Sequence, residues 1–147
     1  MSKIKSFRGK IADGEQDTVI LHTNDGSIGY KIVKFRIVGD QPGAVTSEHT
    51  VKIYKVKQST IDALVDFSDQ TLLGMGFYST NPSTAYSDTD TVIFDSEVFN
   101  QDIYITHTET NASNPVNYYI ELEQFKLDLN QNTVATLKDI RNETLAI

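Results

Sequence analysis

Apolar and polar side chains alternate residue by residue along several short stretches, and this period of two constrains the fold more than any other feature. In Lys31-Ile32-Val33-Lys34-Phe35-Arg36-Ile37, Val33, Phe35 and Ile37 fall on one side and Lys34 and Arg36 on the other. In Asp102-Ile103-Tyr104-Ile105-Thr106-His107, Ile103 and Ile105 oppose Tyr104 and Thr106. That pattern suits a strand with one face in a core and the other in water. Similar runs occupy residues 4–11, 18–22, 51–56, 72–78, 92–94 and 118–129. The chain holds 14 Ile, 11 Val, 16 Thr, 7 Tyr and 7 Phe against 7 Ala and 9 Leu, a balance that fits pleated strands better than helices.

Turn residues separate these runs. Asp13-Gly14 and Asn24-Asp25-Gly26 supply the positive φ of tight turns, and Gly39-Asp40-Gln41-Pro42-Gly43 and Asn111-Ala112-Ser113-Asn114-Pro115 mark two more breaks. Eight or nine strands at this spacing predict an all-β, single-domain β-sandwich or jelly-roll-like fold over residues 1–147. The polar stretch 79–91, STNPSTAYSDTDT, reads as the longest loop. Helix is expected to be scarce. Residues 59–65 suit one short turn capped by Ser59 or Thr60. Val134, Leu137 and Ile140 recur at three-residue spacing and suit at most a short C-terminal helix, with a strand over 134–137 as the alternative.

Two details bear on strand geometry. In 118–129, Ile120 and Leu122 share one parity and Phe125, Leu127 and Leu129 the other. A bulge near Glu123-Gln124 would bring both sets to one face, whereas a strand buried on both sides would not need one. Gly74-Met75-Gly76 marks a bulge or a close backbone approach.

Charge is divided unevenly. Residues 1–57 hold 10 Lys+Arg against 6 Asp+Glu, residues 58–147 hold 3 against 14, and no Lys or Arg occurs between Lys57 and Lys126. Copies could meet positive to negative if the halves occupy different surfaces, whereas interleaved strands from the two halves would blur the contrast. Residues 1–11 form a candidate N-terminal arm or edge strand. There Lys3, Lys5, Phe7, Arg8 and Lys10 are the candidate protein-interface residues.

Motifs for chemistry are sparse. There is no cysteine, which excludes disulfides and thiolate sites, and no GxxxxGK[ST], GxGxxG, GxSxG or HExxH. No apolar run approaches the ~18–20 residues of a transmembrane helix, and no secretory signal opens the chain. His22, His49 and His107 lie far apart, so a shared metal or acid–base role is not expected. Asp88 and Asp90, with Asp95 nearby, offer oxygen ligands for a cation, but a solvated acidic loop is the plainer reading. Glu121 and Glu123 share one strand face, which reads as a polar exterior and not as a catalytic pair. Tyr78, Tyr86, Tyr104, Tyr118 and Tyr119 include candidates for a sugar platform. A net charge of −7 argues against nucleic acid. Asn111 and Asn142 head glycosylation-type triplets to which no role is given. No cofactor, metal or catalytic residue is expected.

Several segments carry a resemblance. Val92-Ile93-Phe94-Asp95, the run from Asn100 to His107, Asn117-Tyr118-Tyr119-Ile120-Glu121-Leu122-Glu123 and the closing run from Ala135 to Asn142 resemble small virion structural proteins of marine tailed bacteriophages. The run from Leu21 to Tyr30 adds a weaker match. The resemblance implies a β-sandwich present in many copies on the virion, a capsid decoration or cement protein. Its partners would be the major capsid protein, copies of itself in a homo-oligomer, or both, with no nucleic acid and no membrane. Two other classes stay open: a tail-fibre or receptor/glycan-binding module built on Tyr78, Tyr86 and the 79–91 stretch, and a jelly-roll hydrolase.

Overall fold

The computed structural model describes residues 3–83, 86–94 and 98–145. Eight strands among these residues form two antiparallel sheets: β1 (Lys3–Ile11), β2 (Gln16–Val19), β3 (Ile28–Gly39), β4 (Ser47–Tyr54), β5 (Leu72–Asn81), β6 (Tyr86–Ile93), β7 (Ile103–Glu109) and β8 (Val116–Lys126). One sheet has the order β1-β8-β3 and the other β2-β7-β4-β5-β6. The result is an all-β sandwich with one C-terminal helix, α1 (Leu129–Leu145). Inward side chains of both sheets fill the space between them, among them Ile32, Phe35, Ile37, Ile120 and Leu122 from the first and Val51, Ile53, Ile103 and Ile105 from the second. The sheets approach closely at Gly76, where an added Cβ would lie 3.0 Å from the Phe35 ring and 3.1 Å from Ile37. Gly76 therefore marks close packing, and Gly74 adjoins a register shift, since Ile53 faces Gly74 and Tyr54 already faces Leu72.

A bulge exists, but on the strand next to the one expected. β8 pairs with β1 without a break from Gln124 to Val116. The shift falls on β3, where Ile32 faces Leu122 and Lys34 already faces Glu121, so Val33 is the extra residue. Tyr30 and Ile32 point inward before it, and Phe35, Ile37 and Gly39 after it. Val33, expected inside, is 41% exposed. Phe125 of β8 stays half-buried on the opposite parity.

Two further expectations are overturned. The stretch 79–91 is a hairpin: β5 runs to Asn81 and pairs with β6 from Asn81↔Tyr86 to Gly74↔Ile93. Its polar residues suit an edge strand wet on one side, where Thr and Tyr favour extended backbone. Residues 59–65 form no helix. Asp62, Asp66 and Asp69 instead accept from the backbone N–H two residues on, at Leu64 (3.1 Å), Ser68 (3.0 Å) and Thr71 (2.8 Å), and these local turns displace helical bonding. The loop they build lies on the outer side of the five-stranded sheet. It is held there by Lys52, only 4% exposed, whose Nζ donates to the Leu64 carbonyl (2.5 Å) and to Asp62 (3.3 Å).

The helix starts at a reciprocal cap. The Gln131 N–H donates to Asp128 Oδ1 (2.8 Å) and the Asp128 N–H to Gln131 Oε1 (3.0 Å), which satisfies donors that a helix start leaves open. The apolar spacing does not mark its buried side, since Val134 is 66% and Leu137 61% exposed. Asn132, Ala135 and Thr136 face the body. Buried Asn100 donates through Nδ2 to Thr136 Oγ1 (2.7 Å) and the Gly26 carbonyl (3.1 Å), and Asn132 donates to the Asp25 carbonyl (2.6 Å). Ile140 lies outside the residues whose side chains are described. Among the described residues no helix is long and apolar enough to cross a membrane.

Gly26 joins these elements. Its φ is +67°, and an added Cβ would sit 2.5 Å from Asn132 Oδ1. Gly26→Ala is expected to lower unfolding stability by about 2 kcal/mol, from the left-handed backbone and the displaced Asn132 together. Gly43→Ala, with a similar φ (+78°) but open space around it, should cost only about 1 kcal/mol. Urea denaturation of both variants checks this, and equal costs would show that the Asn132 contact contributes nothing.

Candidate functional site

The outward side of the three-stranded sheet gathers five of the chain's 13 Lys and Arg residues, Arg8, Lys10, Lys31, Lys34 and Arg36. Register places Arg8, Tyr119 and Arg36 in one row across β1, β8 and β3, and Ser6, Glu121 and Lys34 in the next. Arg8, Lys10, Lys34 and Arg36 are exposed. Lys10 pairs with Asp40 (2.5 Å) and Lys31 with Glu123 (3.2 Å), whereas Arg8 and Lys34 have no ion pair among the described residues. The Tyr119 hydroxyl donates to Glu121 Oε2 of the next row (2.6 Å). That bond to a carboxylate is the main cause that raises the Tyr119 pKa. An open groove of about 420 Å³ runs along this row, lined by Arg8, Gly9, Arg36, Val38, Asn117, Tyr118 and Tyr119.

The five candidate interface residues divide by parity. Phe7 packs against the edge of the core. Lys3 and Lys5 share its side but extend past it into solvent, with Lys5 Nζ 5.7 Å from the Phe7 ring centroid. Arg8 and Lys10 point to the outer face. Among the described residues β1 pairs only with β8, so its other backbone edge is unpaired in the sheet.

Sequence spacing missed the second cluster. His49 on β4 and His107 on β7 are both fully buried and meet with His49 Nδ1 2.9 Å from His107 Nε2. His107 Nδ1 lies 3.2 Å from the Ala12 carbonyl, which can only accept, so Nδ1 carries the proton and Nε2 accepts from His49 Nδ1–H. His49 Nε2 is left without a hydrogen-bond partner. Burial, then the neighbouring His107, pushes His49 down to about 4. Burial also lowers His107, outweighing the Ala12 and Ile11 carbonyls and the charges of Asp13 and Glu109. Burial pushes the adjacent Glu109 carboxyl up, but the backbone N–H groups of Glu48, Asn111, Ala112 and Ser113 hold it below its ordinary value. A neutral, hydrogen-bonded pair with one buried, unpartnered nitrogen seals this end of the sandwich. Only strand register, with Val51 opposite His107, could have brought the two rings together.

The remaining candidates scatter. His22 is exposed and pairs with Asp102 at 2.7 Å. Tyr78 is buried against His49, which removes it from any surface platform. Buried Tyr118 donates to Asp17 (3.2 Å), and burial with that carboxylate raises it to about 12. Tyr104 is half-buried. Asp88 and Asp90 are exposed on β6. Asp95 lies outside the described residues, as do the side chains of Tyr86 and Asn142. Among the described residues no group of three or more His, Asp or Glu side chains is placed to hold a metal.

No protein-family model matches the chain, and no curated protein matches it. Among solved structures it is similar to a protein of the Bacillus endospore appendages, described as a novel family of disulfide-linked pili, with 12% identity, a TM-score of 0.39, and coverage of 86% of this chain and 89% of that one. These 147 residues hold no cysteine.

The histidine pair makes stability depend on pH in a set direction. Its folded-state pKa values lie below the ordinary 6.5, so the unfolded chain takes up protons first as pH falls. Stability should be level above pH 6.5, drop between 6.5 and 4 by about 3 kcal/mol on account of His49, and flatten for that group below 4. Glu109, whose pKa is depressed, loses its contribution as pH falls further. Urea denaturation from pH 8 to 4 reads this, and an unchanged midpoint would show that the pair is not buried neutral.

Proposed function

We propose that the protein is a non-enzymatic structural subunit of a phage virion, a decoration protein that binds the outer surface of the capsid. The observation that carries this reading is β1. It is an outermost strand whose other backbone edge is unpaired among the described residues, and it carries exposed cations on both sides, Lys3 and Lys5 on one and Arg8 and Lys10 on the other. A strand edge gives main-chain hydrogen bonds, and its lysines steer toward an acidic shell. The resemblance of the segments between Val92 and Asn142 to small virion proteins of marine tailed phages supports the same reading. Many identical contacts of modest strength, repeated over a capsid, hold firmly through multivalency. Tyr78 is buried, so the glycan-binding alternative loses one of its two named aromatics.

Co-sedimentation with capsids stripped of the protein tests the proposal. Saturable binding that weakens about tenfold or more in Lys3→Glu/Lys5→Glu/Lys10→Glu, with stability within about 0.5 kcal/mol of the parent, is the expected result. Binding to a polysaccharide but not to capsids would replace this reading with the tail-fibre one.

A further inference from the structure

The two broad outer faces of the sandwich carry opposite charge. On the three-stranded sheet, Arg8 and Arg36 flank Tyr119 in register, and no carboxylate lines the groove between them. Neighbouring strands stand about 4.8 Å apart, so the two arginine backbones are about 10 Å apart. That spacing lets both guanidinium groups close on carboxylates entering over the Tyr119 ring. Arg36 lines the groove and also donates to Thr91 Oγ1 of β6 (3.4 Å).

The far face is acidic. Register puts Glu48 opposite Ser79, Ser79 opposite Asp88, and Phe77 opposite Asp90, all on the side facing away from the core. Glu48, Asp88 and Asp90 are exposed. The loop over the same sheet adds Asp62 and Asp66, both exposed, and Asp69, half-buried. The cation on the outward side of β4, Lys52, is buried beneath that loop and paired with Asp62.

We propose that a second copy of this chain docks its acidic face, through Glu48, Asp90 and the 62–69 loop, onto the Arg8–Tyr119–Arg36 groove of the first. Arginine pairs with carboxylates through two parallel N–H donors, and a face-to-same-face arrangement would set like charges together. The contact therefore joins different surfaces head to tail. Each added copy leaves one basic and one acidic face open, so the association continues into short stacks or closes as a ring. This goes beyond capsid attachment and does not require it.

Purified protein without capsids tests the contact, so its failure is separable from failure of the capsid reading. Sedimentation velocity at low salt is expected to show concentration-dependent association, weakened tenfold or more by ~0.5 M salt. Arg8→Glu/Arg36→Glu should abolish it, and so should Glu48→Lys/Asp90→Lys. Each mixture partner alone should stay monomeric. An equimolar mixture of the two variants should associate again, because each then offers the complement of the other. A monomeric parent, association unchanged in either variant, or no recovery on mixing overturns the proposal. Loss of capsid binding in Arg8→Glu/Arg36→Glu from a parent that never self-associates would make the shell, not a second copy, the occupant of the groove.

Discussion

The central strand β8 governs both sides of its sheet. Its inward residues Val116, Tyr118, Ile120 and Leu122 are buried and meet inward residues of β1 and β3 in register, as in the row Phe7, Ile120, Phe35. Its outward residues Asn117, Tyr119, Glu121 and Glu123 form the floor of the basic face. A slip of one residue would exchange these two sets, burying two carboxylates and exposing the core. Core and surface chemistry are thus fixed by one register.

The same alternation made much of the fold legible. Ile103 and Ile105 point inward as their spacing requires, and both are fully buried. The turns at Asp13-Gly14 and Asn24-Asp25-Gly26 fall where the Gly residues permit positive φ. The apolar pattern misleads where another contact, near or distant in sequence, overrides it. Val33 reads as inward from its neighbours, and only pairing with β8 shows that it is the bulged residue. Residues 59–65 carry helix-compatible spacing, but aspartates two residues before a backbone donor outcompete it. The start of α1 rests on the Asp128–Gln131 cap, which the apolar spacing of Val134, Leu137 and Ile140 does not mark, and the exposed Val134 and Leu137 point to the wrong face.

The candidate surfaces were legible to different degrees. The basic N-terminal stretch and the acidic remainder are visible in the order of residues. Interleaving blurs the contrast only in part, because β1 and β3 flank β8 and put Arg8, Lys10, Lys31, Lys34 and Arg36 on one face, while Glu121 and Glu123 lie between them. The histidine pair was hidden, since residues 49 and 107 meet only through the β4–β7 ladder. The pair occupies the end of the sandwich where Gly14 N–H bonds the His107 carbonyl (2.9 Å) and His107 N–H bonds that of Glu15 (3.1 Å). Charge uptake there would strain the turn, the two strands and the Glu109 loop at once.

The β3 bulge also sets how the chain tolerates changes in length. With Val33 excised, Ile32 would be followed by Lys34 facing Glu121, and the strand would alternate without interruption. Tyr30, Ile32, Phe35 and Ile37 would all keep their present sides. Excising Arg36 instead would turn the rest of the strand over, sending Ile37 and Gly39 toward solvent and Val38 inward. One position near the middle of β3 is therefore a natural site of insertion or loss, in a strand that elsewhere admits neither.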